Sequence, residues 1–157
     1  MEAELVDALR AGRRLTVSLV AIHRGDRVGS ALHTGSNVIA GHVGFSPVSV
    51  DGIDAGVGLA PVAVLPAYRR RGVAAQLVRD GLAACAALGY RFVVVLGEPG
   101  YYRRFGFVAA RRWGLRDEYG GGDAFQALEL QPRSLPGDAV ARFRVVRYAP
   151  EFGALSA

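Results

Sequence analysis

The stretch VAVLPAYRRRGVAAQL, residues 62 to 77, restricts the fold more than any other part of this chain. It begins as an apolar strand and crosses three consecutive arginines and a glycine. At Val73 it changes to helical spacing, with Leu77, Val78, Gly81, Leu82, Cys85 and Leu88 on one face and Gln76, Arg79 and Asp80 turned elsewhere. Gly89 is the stop. FVVVLG (92–97) follows as a short run, apolar throughout, that reads as a fully buried strand. Strand, helix and strand in so few residues need a crossover connection, so the two strands run parallel in one sheet with the helix on its face. Pro66 falls just past the first strand, where no ladder bond is required.

Further elements flank this unit. Residues 2–11 carry Leu5, Val6 and Leu9 at helical spacing and meet a stop at Gly12. LTVSLVAI (15–22), VIAGHVGFSPVSV (38–50) and GVGLAPVAVL (56–65) read as strands, the last apolar enough to be central in its sheet. The connection from His23 to Asn37 is longer than a hairpin loop. Pro99 opens a short helix through GYYRRFG, EYGGGDAF reads as a flexible loop, and FQALEL (125–130) alternates like a late strand. No repeat or linker divides the chain, so a single α/β (α+β) domain over residues 1–157 is expected.

Composition removes several classes of chemistry. With 51% apolar residues the chain can bury a substantial core, yet no apolar run approaches the roughly 20 residues of a membrane span. A soluble cytoplasmic protein is the expectation. The single cysteine, Cys85, cannot form an internal disulfide, and its place on the apolar helical stripe reads as core. His23, His33 and His42 have no metal-ligand spacing with it, so no metal is expected. All 19 basic residues are arginine, which excludes a P-loop lysine and a lysine Schiff base. The formal charge of +5 favours anionic partners.

The arginine turn has its own chemistry. The first turn of a helix carries unbonded N–H groups and the positive end of the peptide dipole, so it binds anions through the backbone alone. Gly72 allows close approach of a phosphate, Ala74 and Ala75 keep that approach open, and Arg69, Arg70 and Arg71 add bidentate contacts. A solvated basic turn is the alternative for this stretch taken alone.

With Arg69, Gly72 and Ala74 in place, the stretch resembles the Arg/Gln-x-x-Gly-x-Gly/Ala signature of the GNAT superfamily of N-acetyltransferases. GHVGFSPV, LAPVAVLPAYRRRGVAAQLV, GYRFVVVLGEPGYYRRFGF and FQALEL also occur in the order of its YhbS-like bacterial branch, so the likeness spans roughly residues 2 to 150. The resemblance implies a mixed central sheet splayed between the family's fourth and fifth strands, with flanking helices. It implies acetyl-CoA as cofactor and a primary amine as acceptor. The pantetheine arm would lie along Val62, Ala63 and Val64 like an added strand, and the pyrophosphate would rest on the turn from Arg71 through Gly72 and Val73 to Ala74 and Ala75.

Transfer from a thioester to an amine needs a neutral nucleophile, a polarised carbonyl and a proton for the departing thiolate. Tyr102 stands where the family carries the tyrosine that protonates sulfur, with Tyr101 beside it; plain packing residues on a short helix are the alternative for both. For the base, GVGLAPVAV has no carboxylate where many relatives carry a glutamate, which leaves Glu98, itself equally readable as a helix cap. A protein base is dispensable for an α-amine, roughly a tenth neutral at neutral pH, but less so for a lysine-type amine, under roughly a thousandth neutral. His42 reads as a structural histidine that could also reach the cleft.

The resemblance has gaps. The family's first strand and first helix have no counterpart ahead of EAELVDALR, which would leave residues 15–22 as an open sheet edge, and a homodimer through that edge is one expectation. Two rival readings follow: an acyl-CoA-binding sensor without transfer, and an RNA-binding module suggested by RRFGFVAA (103–110), in which Arg104 stands at a required glycine.

Overall fold

The computed structural model describes residues 2–25, 37–135 and 143–154. The chain opens with helix α1 (Glu2–Ala11), followed by strands β1 (Val17–His23), β2 (Val38–Val50) and β3 (Ile53–Val64). Helix α2 (Val73–Ala87) and strand β4 (Phe92–Leu96) come next, then α3 (Pro99–Tyr102), β5 (Val108–Ala109), β6 (Leu115–Asp117), β7 (Phe125–Glu129), β8 (Arg144–Arg147) and α4 (Pro150–Ala154). The strands form one mixed sheet in the order β5-β7-β4-β3-β2-β8-β6, with β1 paired to the first part of β2.

The expected crossover is present. β3 and β4 are parallel, pairing Gly56 with Phe92, Val57 with Val93 and Gly58 with Val94, and α2 links them across one face. That face is a continuous core of Phe45, Val57, Leu59, Val78, Cys85, Val93 and Val95. Gly81 is what lets α2 lie so close, because a Cβ there would collide with the Phe45 ring. Gly81→Ala should push the helix off the sheet and lower stability by about 1–3 kcal/mol, read as a reduced denaturant midpoint. The opposite face is covered by Leu5 and Leu9 of α1 with Ala149 and Phe152, and by a second cluster around Val48, Phe92, Val94 and Phe125.

Several boundaries differ from the sequence reading. β3 starts at Ile53 rather than Gly56, because Asp51 (φ 52°) and Gly52 (φ 77°) make a two-residue hairpin turn that pairs Val50 with Ile53. β1 begins at Val17, after Leu15 and Thr16, and ends at His23. Leu88 leaves the buried stripe of α2 and is 62% exposed, since it caps the helix just before Gly89 (φ 86°). Leu96 likewise ends β4 on the surface, so that strand is buried only through Val95. The segment expected as a flexible loop is instead built on Asp117, whose carboxylate accepts hydrogen bonds from the N–H groups of Tyr119 (3.0 Å) and Gly121 (2.8 Å). The long connection singled out after His23 falls largely on residues 26–36, outside the described residues.

Candidate active site

The parallel pairing of β3 and β4 stops at Gly58 and Val94, although β3 runs six residues further to Val64. A register shift between Val43 and Phe45 of β2 places Ala60 and Pro61 in a bulge, and proline has no N–H to offer a neighbour. The two strands therefore diverge. Beyond the bulge β3 pairs only with β2, Val62 opposite Val43, Ala63 opposite His42 and Val64 opposite Gly41. Antiparallel pairing alternates the direction of the backbone polar groups. Leu65 donates its N–H to the Ala40 carbonyl, so Leu65 and Ala63 turn toward β2, and Val62 and Val64 turn toward the gap. The Val64 carbonyl is met there by Arg69 Nε at 3.1 Å. Of the three residues named from the sequence, Val62 and Val64 turn their backbone groups to the gap, the Val64 carbonyl already taken by Arg69, whereas those of Ala63 are used inside the sheet.

This open edge leads into the arginine turn. A short 3-10 turn, Pro66–Tyr68, ends the strand, after which Arg70 (φ 60°) and Gly72 (φ 78°) both adopt left-handed backbone conformations around Arg71. Gly72 is the N-cap of α2, and the first helical bond runs from the Gln76 N–H to the Gly72 carbonyl at 3.0 Å. The N–H groups of Val73, Ala74 and Ala75 precede that ladder and point out of the helix end. A Cβ at Gly72 would meet nothing within 4 Å, so the glycine answers the backbone angle and leaves the mouth of the turn open. The adjoining cleft, about 190 Å³, is lined by Val64, Tyr68, Arg69, Arg70 and residues 72–75, with Tyr101 and Arg104 opposite. None of the ion pairs among the described residues engages Arg69, Arg70, Arg71 or Arg104. Arg69 and Arg104 bond the Val64 and Tyr101 carbonyls, and Arg71 and Arg104 rest over the rings of Tyr68 and Tyr101.

Helix α3 closes the other side. Its N-cap is Glu98, which is exposed and whose carboxylate accepts a hydrogen bond from the Gly100 N–H at 3.3 Å. Tyr101 and Tyr102 both donate their N–H groups to the Glu98 carbonyl. Tyr101 lines the cleft beside the arginine turn, with Arg104 stacked at 4.3 Å from its centroid. Tyr102 packs on Gly97 just past β4, edge-on to Phe107 at 5.7 Å, and lies half-buried against the core under α2. Burial, and to a lesser degree the neighbouring Tyr101, push the Tyr102 phenol above its usual range, so it keeps its proton at neutral pH.

One supporting residue carried no signal in the sequence. Gln126 is buried at 2% exposure and donates from Nε2 to the Gly97 carbonyl at 3.1 Å, which fixes the start of α3. His42 lies on β2 and shares a 2.9 Å hydrogen bond with Ser18 of β1, and burial, then Arg10, lower its pKa. Cys85 is fully buried, its thiol pushed up to about 12 by burial, which makes it a core residue. RRFGFVAA forms a 3-10 turn and a two-residue edge strand, not the central strand an RNA-recognition sheet requires.

A parallel pair that separates beside a helix N-terminus, with arginines that join none of the ion pairs among the described residues, is an arrangement able to take an extended phosphate-bearing ligand between two strands. Comparison with known proteins narrows this class. The model of the acetyltransferase (GNAT) domain matches residues 47–110. The chain is 43% identical over 138 residues to the N-acetyltransferase YhbS of Escherichia coli, covering 87% of this chain and 76% of that protein. It is 30% identical over 145 residues to the N-acetyltransferase YjhQ of the same organism, covering 87% of this chain and 75% of that one. Among solved structures, E. coli YhbS in complex with CoA superposes with a TM-score of 0.79 at 38% identity, over 97% of this chain and 77% of the other. A Brucella melitensis GNAT acetyltransferase in complex with acetyl-CoA gives 0.67 at 39% identity, over 96% and 77%. The chain belongs to the GNAT acetyltransferase family, in its YhbS-like branch. No described helix is long and apolar enough to cross a membrane.

Proposed function

We propose that this protein is a soluble, cytoplasmic N-acetyltransferase that uses acetyl-CoA and moves the acetyl group directly to a primary amine within a ternary complex. The observation that carries the reading is the continuity between the open β3 edge at Val62 and Val64 and the free amides at the start of α2. The 76–77% coverage of its GNAT relatives, two of them solved with CoA or acetyl-CoA, supports the choice of ligand.

In this reading the amides from Arg71 to Ala75 receive the pyrophosphate, and Arg69, Arg70 and Arg71 neutralise its charge. The backbone of Val62 and Val64 holds the pantetheine as an extra strand, with Ala63 positioned between them. Acetyl-CoA, when bound, supplies an activated thioester. Tyr102, neutral and packed on Gly97 just past β4, donates its proton as the thiolate departs, a transfer that becomes favourable as charge builds on sulfur. The base named from the sequence, Glu98, is engaged in capping α3, so an acceptor whose amine is partly neutral near pH 7 is served most readily.

Thiol release from acetyl-CoA over a panel of primary amines tests the function. Turnover with at least one amine is expected; binding of acetyl-CoA without turnover on any would favour the sensor reading. The outer edge of β1 pairs with no described strand, and Val20 (44%) and Ile22 (54%) are exposed along it. A homodimer through this edge fits that exposure. Light scattering at micromolar concentration checks it, and a monomer mass removes it.

A further inference from the structure

On the face of the sheet opposite α2, polar oxygens without partners are buried where the β3–β4 pairing ends. Ser46 of β2 is the cross-strand partner of Gly58, is fully buried, and its Oγ has no hydrogen-bond partner. The ring of Tyr148, in the segment after β8, lies on the same glycine: a Cβ at position 58 would be 2.8 Å from its Cε1. The Tyr148 hydroxyl is also enclosed and unpartnered. Buried hydroxyls normally find partners. Two of them beside one glycine, at the last paired residue before the strands part, point to a polar ligand arriving at that place.

The surroundings define its chemistry. Glu118 Oε1 accepts the Tyr148 N–H at 2.8 Å, while its Oε2 is 3.5 Å from the largely exposed Arg147. Asp117, 6% exposed, accepts from the amides of Tyr119 and Gly121 and joins none of the ion pairs among the described residues. The Tyr119 ring lies 5.9 Å from that of Tyr148, with Phe152 at 5.4 Å. Burial first, then Asp117, Tyr119 and Glu118, push the Tyr148 phenol well above its usual range, so it is neutral within an electronegative wall. Leu96, the last residue of β4, touches Gly121 of the Asp117 turn, so the wall adjoins the divergence. Two carboxylates with tyrosine rings suit an ammonium group.

We propose that Ser46, Tyr148, Tyr119, Asp117 and Glu118 form the acceptor subsite, and that it takes the primary ammonium head of the acceptor amine. The proposal rests on the acetyltransferase reading and specifies its second substrate. The Tyr148 and Ser46 oxygens accept hydrogen bonds from the ammonium, the Tyr119 ring offers its face, and the carboxylates supply the charge. The amine then gives its proton to water on the open side, where Tyr119 is 44% exposed, before the nitrogen attacks.

The test titrates phenylethylamine and its neutral isostere phenylethanol into the protein, alone and loaded with CoA, followed by calorimetry. The amine is expected to bind at least about tenfold more tightly than the alcohol. Tyr148→Phe removes only an unpartnered hydroxyl, so its melting temperature should stay level or rise, while amine affinity falls about tenfold and alcohol and CoA affinities hold. Tyr119→Leu, at an exposed position, should also weaken the amine. Equal affinities for amine and alcohol, no amine binding, or unchanged amine binding in both variants would overturn the subsite. Failure of CoA to bind would instead strike the acetyltransferase reading, and the titration without CoA still reads the subsite.

Discussion

Gly72→Val is expected to weaken acetyl-CoA binding about 100-fold, the loss of two or three hydrogen bonds to a charged group. Gly72 holds φ at 78°, a conformation that a β-branched residue adopts only under strain. The free protein has room for the new side chain, since nothing lies within 4 Å of its Cβ. The strain is relieved by turning the backbone, and that rotation takes the N–H groups of residues 71–75 away from a common point. Calorimetry reads the affinity, and circular dichroism with a melting temperature within a few degrees of wild type shows that the sheet is intact. Arg71→Gln leaves the backbone in place and should cost less, about five- to tenfold. A valine variant that binds acetyl-CoA as tightly as the wild type would mean that the phosphates rest elsewhere.

Tyr102→Phe should lower kcat by about 100-fold or more and leave the affinity for acetyl-CoA unchanged. The ring packs on Gly97 and Phe107, contacts that phenylalanine keeps, so only the hydroxyl is removed. Tyr101→Phe provides the contrast. Tyr101 lines the cleft at the arginine turn beneath Arg104, where the proposal puts the phosphates, so loss of its hydroxyl should raise KM for acetyl-CoA more than it lowers kcat. If the two variants exchanged these behaviours, the acid would be Tyr101. Equal activity of Tyr102→Phe and wild type would remove the tyrosine from the chemistry altogether.

The parallel unit and the arginine turn at the start of its helix were legible in the sequence because each rests on local, strongly patterned chemistry. The apolar run into Pro66, the period change at Val73 and the stop at Gly89 each depend on residues within a turn or two. The two-residue hairpin at Asp51–Gly52 was equally local, an Asp-Gly pair between alternating runs, and marks the true start of β3. Asp117 was harder to read. Its turn depends on a buried carboxylate meeting amides two and four residues on, while the Gly-rich composition pointed to a loop without fixed structure. The alternation that turns the Ala63 backbone away from the open edge of β3 is set by pairing with β2 across a bulge, which one strand's sequence does not encode. The juxtaposition of Ser46, Gly58 and Tyr148 joins three separate segments through sheet register and the path after β8, with no motif to announce it.

Amide NMR spectra of isotope-labelled protein titrated with CoA report on the backbone grip directly. If the main chain at the start of α2 holds the pyrophosphate, the amides of Gly72, Val73, Ala74 and Ala75 should shift most, those of Val62 and Val64 should follow, and Ala63 should move less. Saturable CoA binding that left the Gly72–Ala75 amides unmoved, or no binding to the folded protein at all, would contradict it.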